Sequence, residues 1–330
     1  MVKSGPKNAI TDVEGIEVGH YTDKENGTGC TVIICRKGAM PGVDVRGSFP
    51  GTRETDMLSP IKWDTEIHAV VLSGGSVYGL DAASGVVKYL AEHSTGLRVG
   101  RARIPRVPAA VIFDLPMITH KVRPGPDEGY KACEAASDGP VEEGTVGGGT
   151  GGTIGKLMGL ERAVKGGVGT ASVDMGDGVI VGALIVTNPV GGAYDPNTGQ
   201  VIAGPRGEDG VTMLDSLKLV TSPNFEPPKW MPQSNTTIGV VATNANLTKA
   251  DVSRMASVAH DGLALAVRPA HLTHDGDTIF SMATGRTDVE VDMTRMCAAV
   301  VHVTAQAIVR SVRAATGLGG IPAVSELGKG

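Results

Sequence analysis

The segment that most constrains this chain is Thr236-Thr237-Ile238-Gly239-Val240-Val241-Ala242-Thr243-Asn244, an apolar, β-branched run that begins abruptly after Asn235. Its two-residue alternation predicts a buried strand, and the Pro-rich segment from Pro223 to Pro232 just before it predicts irregular structure. Thr236 is therefore the first residue of that strand. A threonine there is ordinarily a plain strand residue. It becomes a nucleophile carrying its own base only if the preceding peptide bond is cut, because a free α-amine then lies beside its hydroxyl.

Composition narrows the function classes. The 330 residues are 41% apolar and 20% charged, as in a soluble globular protein, but 47 glycines and only 3% aromatics point to tight turns and close backbone approaches. A net charge of −5 provides no basic footprint for nucleic acid, and no apolar run is long enough to span a bilayer. The N-terminal Met1 to Thr22 is charged and broken by Gly5, Pro6, Gly15 and Gly19, which reads as no secretory signal and implies a cytoplasmic location. Cys30, Cys35, Cys133 and Cys297 form no CxxC pair, so reduced core thiols are expected rather than a disulfide frame or zinc site, and no metal or cofactor is implied.

Strands are predicted at Thr31–Cys35, His68–Ser73 and Ala109–Leu115, and helices over Ala82–His93 and Glu128–Ala136. Gly74 and Gly75 join a strand to a helix, either as a tight turn or as a source of backbone N–H groups for an anion. The block Gly144–Lys156 contains GxGxxG, but it does not follow an apolar strand, and Thr150 and Leu157 stand where a phosphate loop needs Gly and Ser/Thr. Its glycines read instead as close backbone approach to a small substrate or another strand. Lys156, at its end, is either a surface lysine or a directed, buried ammonium.

Gly176-Asp177-Gly178 predicts a hairpin between Gly167–Met175 and Val179–Thr187. Asn188-Pro189 at its end is turn chemistry or an amide donor for an oxyanion. Residues 194–232, rich in Pro, Gly and Asn and helical only near Met213–Leu219, read as an exposed, cleavable connector. Thr248 and Asp251 form a capping box for a helix buried through Val252, Met255, Ala256, Ala259 and Leu263. Asp275-Gly276-Asp277 is a turn or a carboxylate pair leading into a strand, and Val291–Thr316 is a helix apolar enough to be sandwiched. The eight histidines read as structural or surface residues. Two sheets covered by helices is the architecture these elements predict.

Ile10-Thr11-Asp12-Val13, Val18-Gly19-His20, Thr28-Gly29-Cys30-Thr31-Val32, Gly74–Leu80, Thr187-Asn188-Pro189-Val190-Gly191, Asn235-Thr236-Thr237-Ile238 and Asp275-Gly276-Asp277-Thr278 occur in an order that resembles a known family. The resemblance, along nearly the whole chain, is to the self-processing amidohydrolases that include the L-aminopeptidase/D-amidase-esterase and β-peptidyl aminopeptidases, most of all the nylon-oligomer endohydrolases. It implies an α+β fold, an αββα four-layer sandwich like that of N-terminal-nucleophile hydrolases. It also implies one domain, 1–330, cleaved between Asn235 and Thr236 into chains 1–235 and 236–330, and homo-oligomers of the processed pairs acting on a small amide or peptide.

On the same resemblance Thr236 is nucleophile and α-amine base, Lys156 lies near it, Asn188 donates to the oxyanion, and Asp275 and Asp277 position the nucleophile. Gly74, Gly75, Tyr78 and Phe113 are expected at the substrate, with Phe113 standing where some relatives have tyrosine. Thr236 and the Asp-x-Asp pair follow the nylon-oligomer pattern rather than the serine and Ser-x-Glu of the aminopeptidase branch. Hydrolysis of linear amides, 6-aminohexanoate oligomers among them, is the implied activity. Alternatives are aminopeptidase action on short peptides or D-amino-acid amides, and acyl transfer of the ornithine-acetyltransferase type.

Overall fold

Burial on both faces is what the apolar run from Thr236 requires, and the chain supplies it with two stacked sheets. The computed structural model describes residues 2–63, 65–226 and 235–328. The principal strands are β1 (Glu17–Asp23), β2 (Thr28–Val45), β3 (Thr52–Arg53), β4 (Ile67–Ser73), β5 (Ala109–Val111), β6 (Val168–Gly176), β7 (Val179–Asn188), β8 (Thr236–Ala245) and β9 (Thr278–Thr287). The principal helices are α1 (Ala82–Glu92), α2 (Pro126–Glu134), α3 (Lys249–Ala266) and α4 (Met293–Arg313). Hydrogen bonding follows the order β6-β7-β8-β9-β2-β4-β5-β3, with β1 also on β2.

The long strand β2 belongs to both sheets. Its first half, Cys30 to Ile34, pairs with β4, and its second half, Met40 to Val45, pairs with β9. Between them the register slips and Gly38 takes a left-handed φ of 85°, which lets the strand bend from one sheet into the other. Ile33, Val70, Leu184, Val186, Ile238, Val240 and Phe280 fill the space between the sheets. Outside β6–β9, the side chains of α3 and α4 pack on Val181, Ile185 and Val241, while α1 and α2 cover β2 and β4. The layers therefore run helix, sheet, sheet, helix, as expected.

Along β8 the period-two alternation is direct: Ile238, Val240 and Ala242 face the other sheet, and Val241 and Ala245 face the helices. Truncating Ile238 to alanine is expected to cost about 2–5 kcal/mol. The glycine block packs against strands: a Cβ on Gly148 would lie 2.4 Å from the Leu72 carbonyl oxygen. The buried Lys165 ammonium closes that loop by donating to the carbonyls of Thr150 and Gly152, each at 2.7 Å.

Boundaries shift where side chains cap the ends. Helix α4 starts at Met293 because the Asp292 carboxylate accepts from the N–H groups of Thr294 and Arg295, and α2 starts at Pro126 because Glu128 reaches back to Gly125 N–H. β5 ends at Val111 and not Leu115, since Asp114 is drawn to Thr28 and Gly75. Of the expected connector 194–232, residues 227–232 lie outside the described residues. Its earlier part is built: Gly192–Tyr194 pairs with Val201–Ala203, Tyr194 is buried with its hydroxyl on Asp215, and Ser216–Val220 forms a short helix. Among the described residues no helix is long and apolar enough to cross a membrane.

Candidate active site

Topology gathers the candidate residues at one edge. Strands β8 and β9 run parallel, joined by α3 as a crossover, so both begin at the same edge of the sheet. That places Asn235 and Thr236 beside Asp275 and Asp277, with a bridge pairing Asn235 to Asp275. β7 runs antiparallel to β8 and ends there, with Asn188 directly opposite Thr236. Lys156 comes from the turn after the glycine block, where Gly155 adopts a left-handed φ of 73° and the N–H groups of Gly155 and Lys156 bond the carbonyls of Gly191 and Val190.

All five polar residues are buried: Lys156 2%, Asn188 0%, Thr236 2%, Asp275 1% and Asp277 2% exposed. The Lys156 ammonium donates to the Asn188 carbonyl oxygen at 2.9 Å and to its Oδ1 at 2.7 Å. Asn188 Oδ1 also accepts from Thr153 N–H, while its Nδ2 donates to the Phe113 carbonyl at 3.2 Å and retains a second N–H. Asp277 Oδ1 accepts from Thr237 N–H at 2.7 Å and so fixes the backbone just after the candidate nucleophile. Its Oδ2 accepts from the backbone N–H of His271 and lies 2.8 Å from that residue's Nδ1. Asp275 Oδ2 accepts from Leu272 N–H, and its Oδ1 is buried without a hydrogen-bond partner among the described residues.

Electrostatics follows from this burial. Desolvation pushes Asp275 up to about 8, with the neighbouring Asp277 adding to the effect and the Leu272 N–H and Lys156 opposing it. Desolvation likewise pulls Lys156 down to about 7, against the attraction of Asp275. Burial thus favours the neutral form of both groups, a pairing suited to passing a proton.

The Asp275 shift has a thermodynamic consequence. Its folded-state pKa lies above the unfolded value of about 3.9, so its contribution to stability is full below pH 4 and is lost as pH rises towards 8. Asp275→Asn removes that loss. Its melting temperature relative to the parent should climb between pH 5 and pH 9 in matched thermal scans; a difference independent of pH would contradict the assignment.

At Gly74 and Gly75 the structure decides between the two readings the residues left open. Gly74 and Gly75 offer no free N–H groups, because Gly74 N–H bonds the Gly29 carbonyl and Gly75 N–H bonds Asp114 Oδ1 at 2.7 Å. They shape a turn whose next residues, Ser76 and Val77, line a cavity of about 310 Å³ with Phe49, Pro50, Gly51, Val111, Ile112 and Thr236. One structural histidine acts at the site itself: His271 holds Asp277 and stacks edge-on against His260, ring centroids 4.9 Å apart. The sequence signal was available: His271 lies in the same short loop as both aspartates.

Tyr78 is half exposed beneath the Arg123 guanidinium, 4.2 Å from its ring centre, beside but not among the cavity's lining residues. Phe113 instead lines a separate small cleft with Asp114, Thr153 and Lys156, so it meets the site from the lysine side. Among the described residues, no group of three or more His, Cys, Asp or Glu is placed to hold a metal ion.

Comparison with known proteins finds similarity along nearly the whole chain. The family model described as Peptidase family S58 matches residues 8–324. An uncharacterized aminopeptidase of Mycobacterium leprae (strain TN) is 40% identical, covering 98% of this chain and 94% of its own. The 6-aminohexanoate-oligomer endohydrolase of Kocuria sp. (strain KY2) is 31% identical over 87% of this chain and 78% of its own. Among solved structures, a Burkholderia sp. beta-aminopeptidase superposes with a TM-score of 0.72 at 23% identity, covering 99% of this chain and 96% of that one. The L-aminopeptidase D-Ala-esterase/amidase of Ochrobactrum anthropi, described as a variant of the Ntn hydrolase fold, gives a TM-score of 0.70 at 22% identity over 98% and 90%.

Proposed function

The chain belongs to peptidase family S58 and is a hydrolase of amide bonds, and from that premise we propose that it works as a self-processed enzyme with Thr236 as its N-terminal nucleophile. The observation that carries this reading is the convergence of Thr236, Lys156, Asn188, Asp275 and Asp277 at one sheet edge, beside a cavity that Thr236 itself lines. In maturation the Thr236 hydroxyl attacks the Asn235 carbonyl carbon. Its proton passes to the departing nitrogen, and the C–N bond breaks to leave an ester on Oγ1 and a free α-amine. Water then hydrolyses the ester, giving the Asn235 carboxylate and restoring the hydroxyl. In turnover the same hydroxyl attacks the substrate amide with the α-amine, of reference pKa about 8, as base, and water resolves the acyl-enzyme.

Asn188 lies opposite Thr236 on the neighbouring strand, its amide serving the oxyanion and the Lys156 ammonium, which donates to its Oδ1, orienting that amide. Among the described residues that line the cavity, no side chain is ionisable. That favours a substrate whose acyl part is uncharged next to the scissile bond, as in the interior of a linear oligoamide. Assembly of the processed pairs into a homo-oligomer belongs to the same reading; Ile61 and Trp63, 88% and 87% exposed, are apolar surface such an assembly would cover.

The test compares kcat/KM for N-blocked and free-amine forms of the same short amides, 6-aminohexanoate oligomers and D-amino-acid amides, with an amine acceptor added to one series. Blocked and interior amides should be cleaved at least as well as free-amine ones, with water as acceptor. A strict requirement for a free amino group would favour aminopeptidase action, and dominant transfer to the amine would favour an acyltransferase.

A further inference from the structure

The peptide bond in front of Thr236 has a donor aimed at it. Gly276 N–H donates to the Asn235 carbonyl oxygen at 2.8 Å, and Asn235 N–H donates to the His274 carbonyl at 3.0 Å, so the residue before the nucleophile is held on both sides. We propose that the Gly276 N–H is a catalytic donor of self-cleavage, stabilising the oxyanion that forms on the Asn235 carbonyl when Thr236 attacks it. The proposal rests on the self-processing reading above and assigns a role within it to a group outside the five polar side chains.

The donor is fixed in advance. Its peptide unit is gripped at the other end, where the Asp275 carbonyl accepts from Phe49 N–H at 2.9 Å. Two residues on, the Asp277 carbonyl accepts from the N–H groups of Arg46 at 3.0 Å and Gly47 at 3.1 Å. The residues just after β2 thus clamp the Asp275–Asp277 turn from behind, and the turn need not reorganise as charge develops, which is what makes an oxyanion donor effective. Glycine is required by the approach: a Cβ at 276 would lie 2.7 Å from the Phe49 carbonyl oxygen and 2.9 Å from Thr236 Oγ1. The hydroxyl that attacks and the N–H that stabilises the charge therefore meet at one residue without a side chain.

The chemistry needs nothing further from this group. As the Oγ1–C bond forms, the carbonyl π electrons move onto the oxygen that already faces Gly276 N–H. They return when the C–N bond breaks and the nitrogen takes the proton. The N–H strengthens its hydrogen bond in the tetrahedral state and gives up no proton. Once the Asn235 carboxylate leaves, the donor is released from its first partner.

The test replaces one atom group. Glycolic acid in place of Gly276, introduced by nonsense suppression into the full chain, turns the 275–276 amide into an ester and removes this N–H alone. Phenyllactic acid at Phe49 is the control, because it removes a hydrogen bond of the same turn without touching the Asn235 carbonyl. Self-cleavage is followed by denaturing electrophoresis and mass, with melting temperature recorded for each chain. The Gly276 ester should cleave about 10²-fold or more slowly, while the Phe49 ester melts comparably and cleaves within a few-fold of the parent. Equal rates in the Gly276 ester and the parent would overturn the proposal, and so would equal slowing in both esters, which marks general loosening of the turn. An unaltered chain that never splits before Thr236 would instead overturn the reading on which the proposal rests.

Discussion

Thr236→Ala should purify as one uncleaved chain and hydrolyse no amide, while Thr236→Ser should still split and turn over. The expectation rests on one atom. Oγ1 is the nucleophile of both reactions in this account, and alanine removes it while keeping the strand backbone and its pairing to Asn188 and, at the next positions, to β9. The site should survive the change: Thr236 is buried at the edge of β8, and the inter-sheet core begins two residues later at Ile238. Loss of activity without loss of the melting transition is the signature. Scission of the Thr236→Ala chain at the same bond would assign cleavage to an outside protease, and residual hydrolysis would move the nucleophile elsewhere.

Asn188→Ala is expected to have the next largest effect, lowering hydrolysis about 10²–10³-fold, the usual loss for an oxyanion donor. It also removes the Oδ1 that accepts from Lys156 at 2.7 Å and from Thr153 N–H at 3.0 Å, so a buried ammonium loses a partner and stability falls. Asn188→Asp separates the two effects. The carboxylate still accepts from Lys156 but has no N–H to offer, so the melting temperature should recover while the rate does not. Recovery of both would make Asn188 a support for the lysine and not a donor to the oxyanion.

Much of this arrangement was legible in the residues. The alternation from Thr236 to Asn244 identified a strand covered on both faces, and the Thr248–Asp251 cap marked the helix that carries the chain back to a parallel neighbour. That crossover brings Asp275 and Asp277 to Thr236, but the parallel pairing itself is a long-range choice that local periodicity does not encode. The four-layer arrangement likewise depends on the bend of β2 at Gly38, where one glycine among 47 changes sheet.

At the site, residue types were readable and partners were not. Asn188-Pro189 looked like turn chemistry because a strand end cannot announce what lies across from it. Gly74-Gly75 could be a tight turn or an anion-binding one because local sequence does not show that its N–H groups are spent on Gly29 and Asp114, both far along the chain. His271 escaped because no cysteine or metal spacing marked it, whereas its role is to hold a carboxylate. Gly276 could not be singled out at all, since what distinguishes it is a backbone N–H and the absence of a side chain beside Thr236.

The central claim is that the bond between Asn235 and Thr236 is cut by the chain itself. Intact mass of the purified protein under denaturing conditions tests it most directly. Two species are expected, one ending at Asn235 and one beginning at Thr236, their masses summing to the full chain plus one water. A single full-length mass in an active preparation would contradict it.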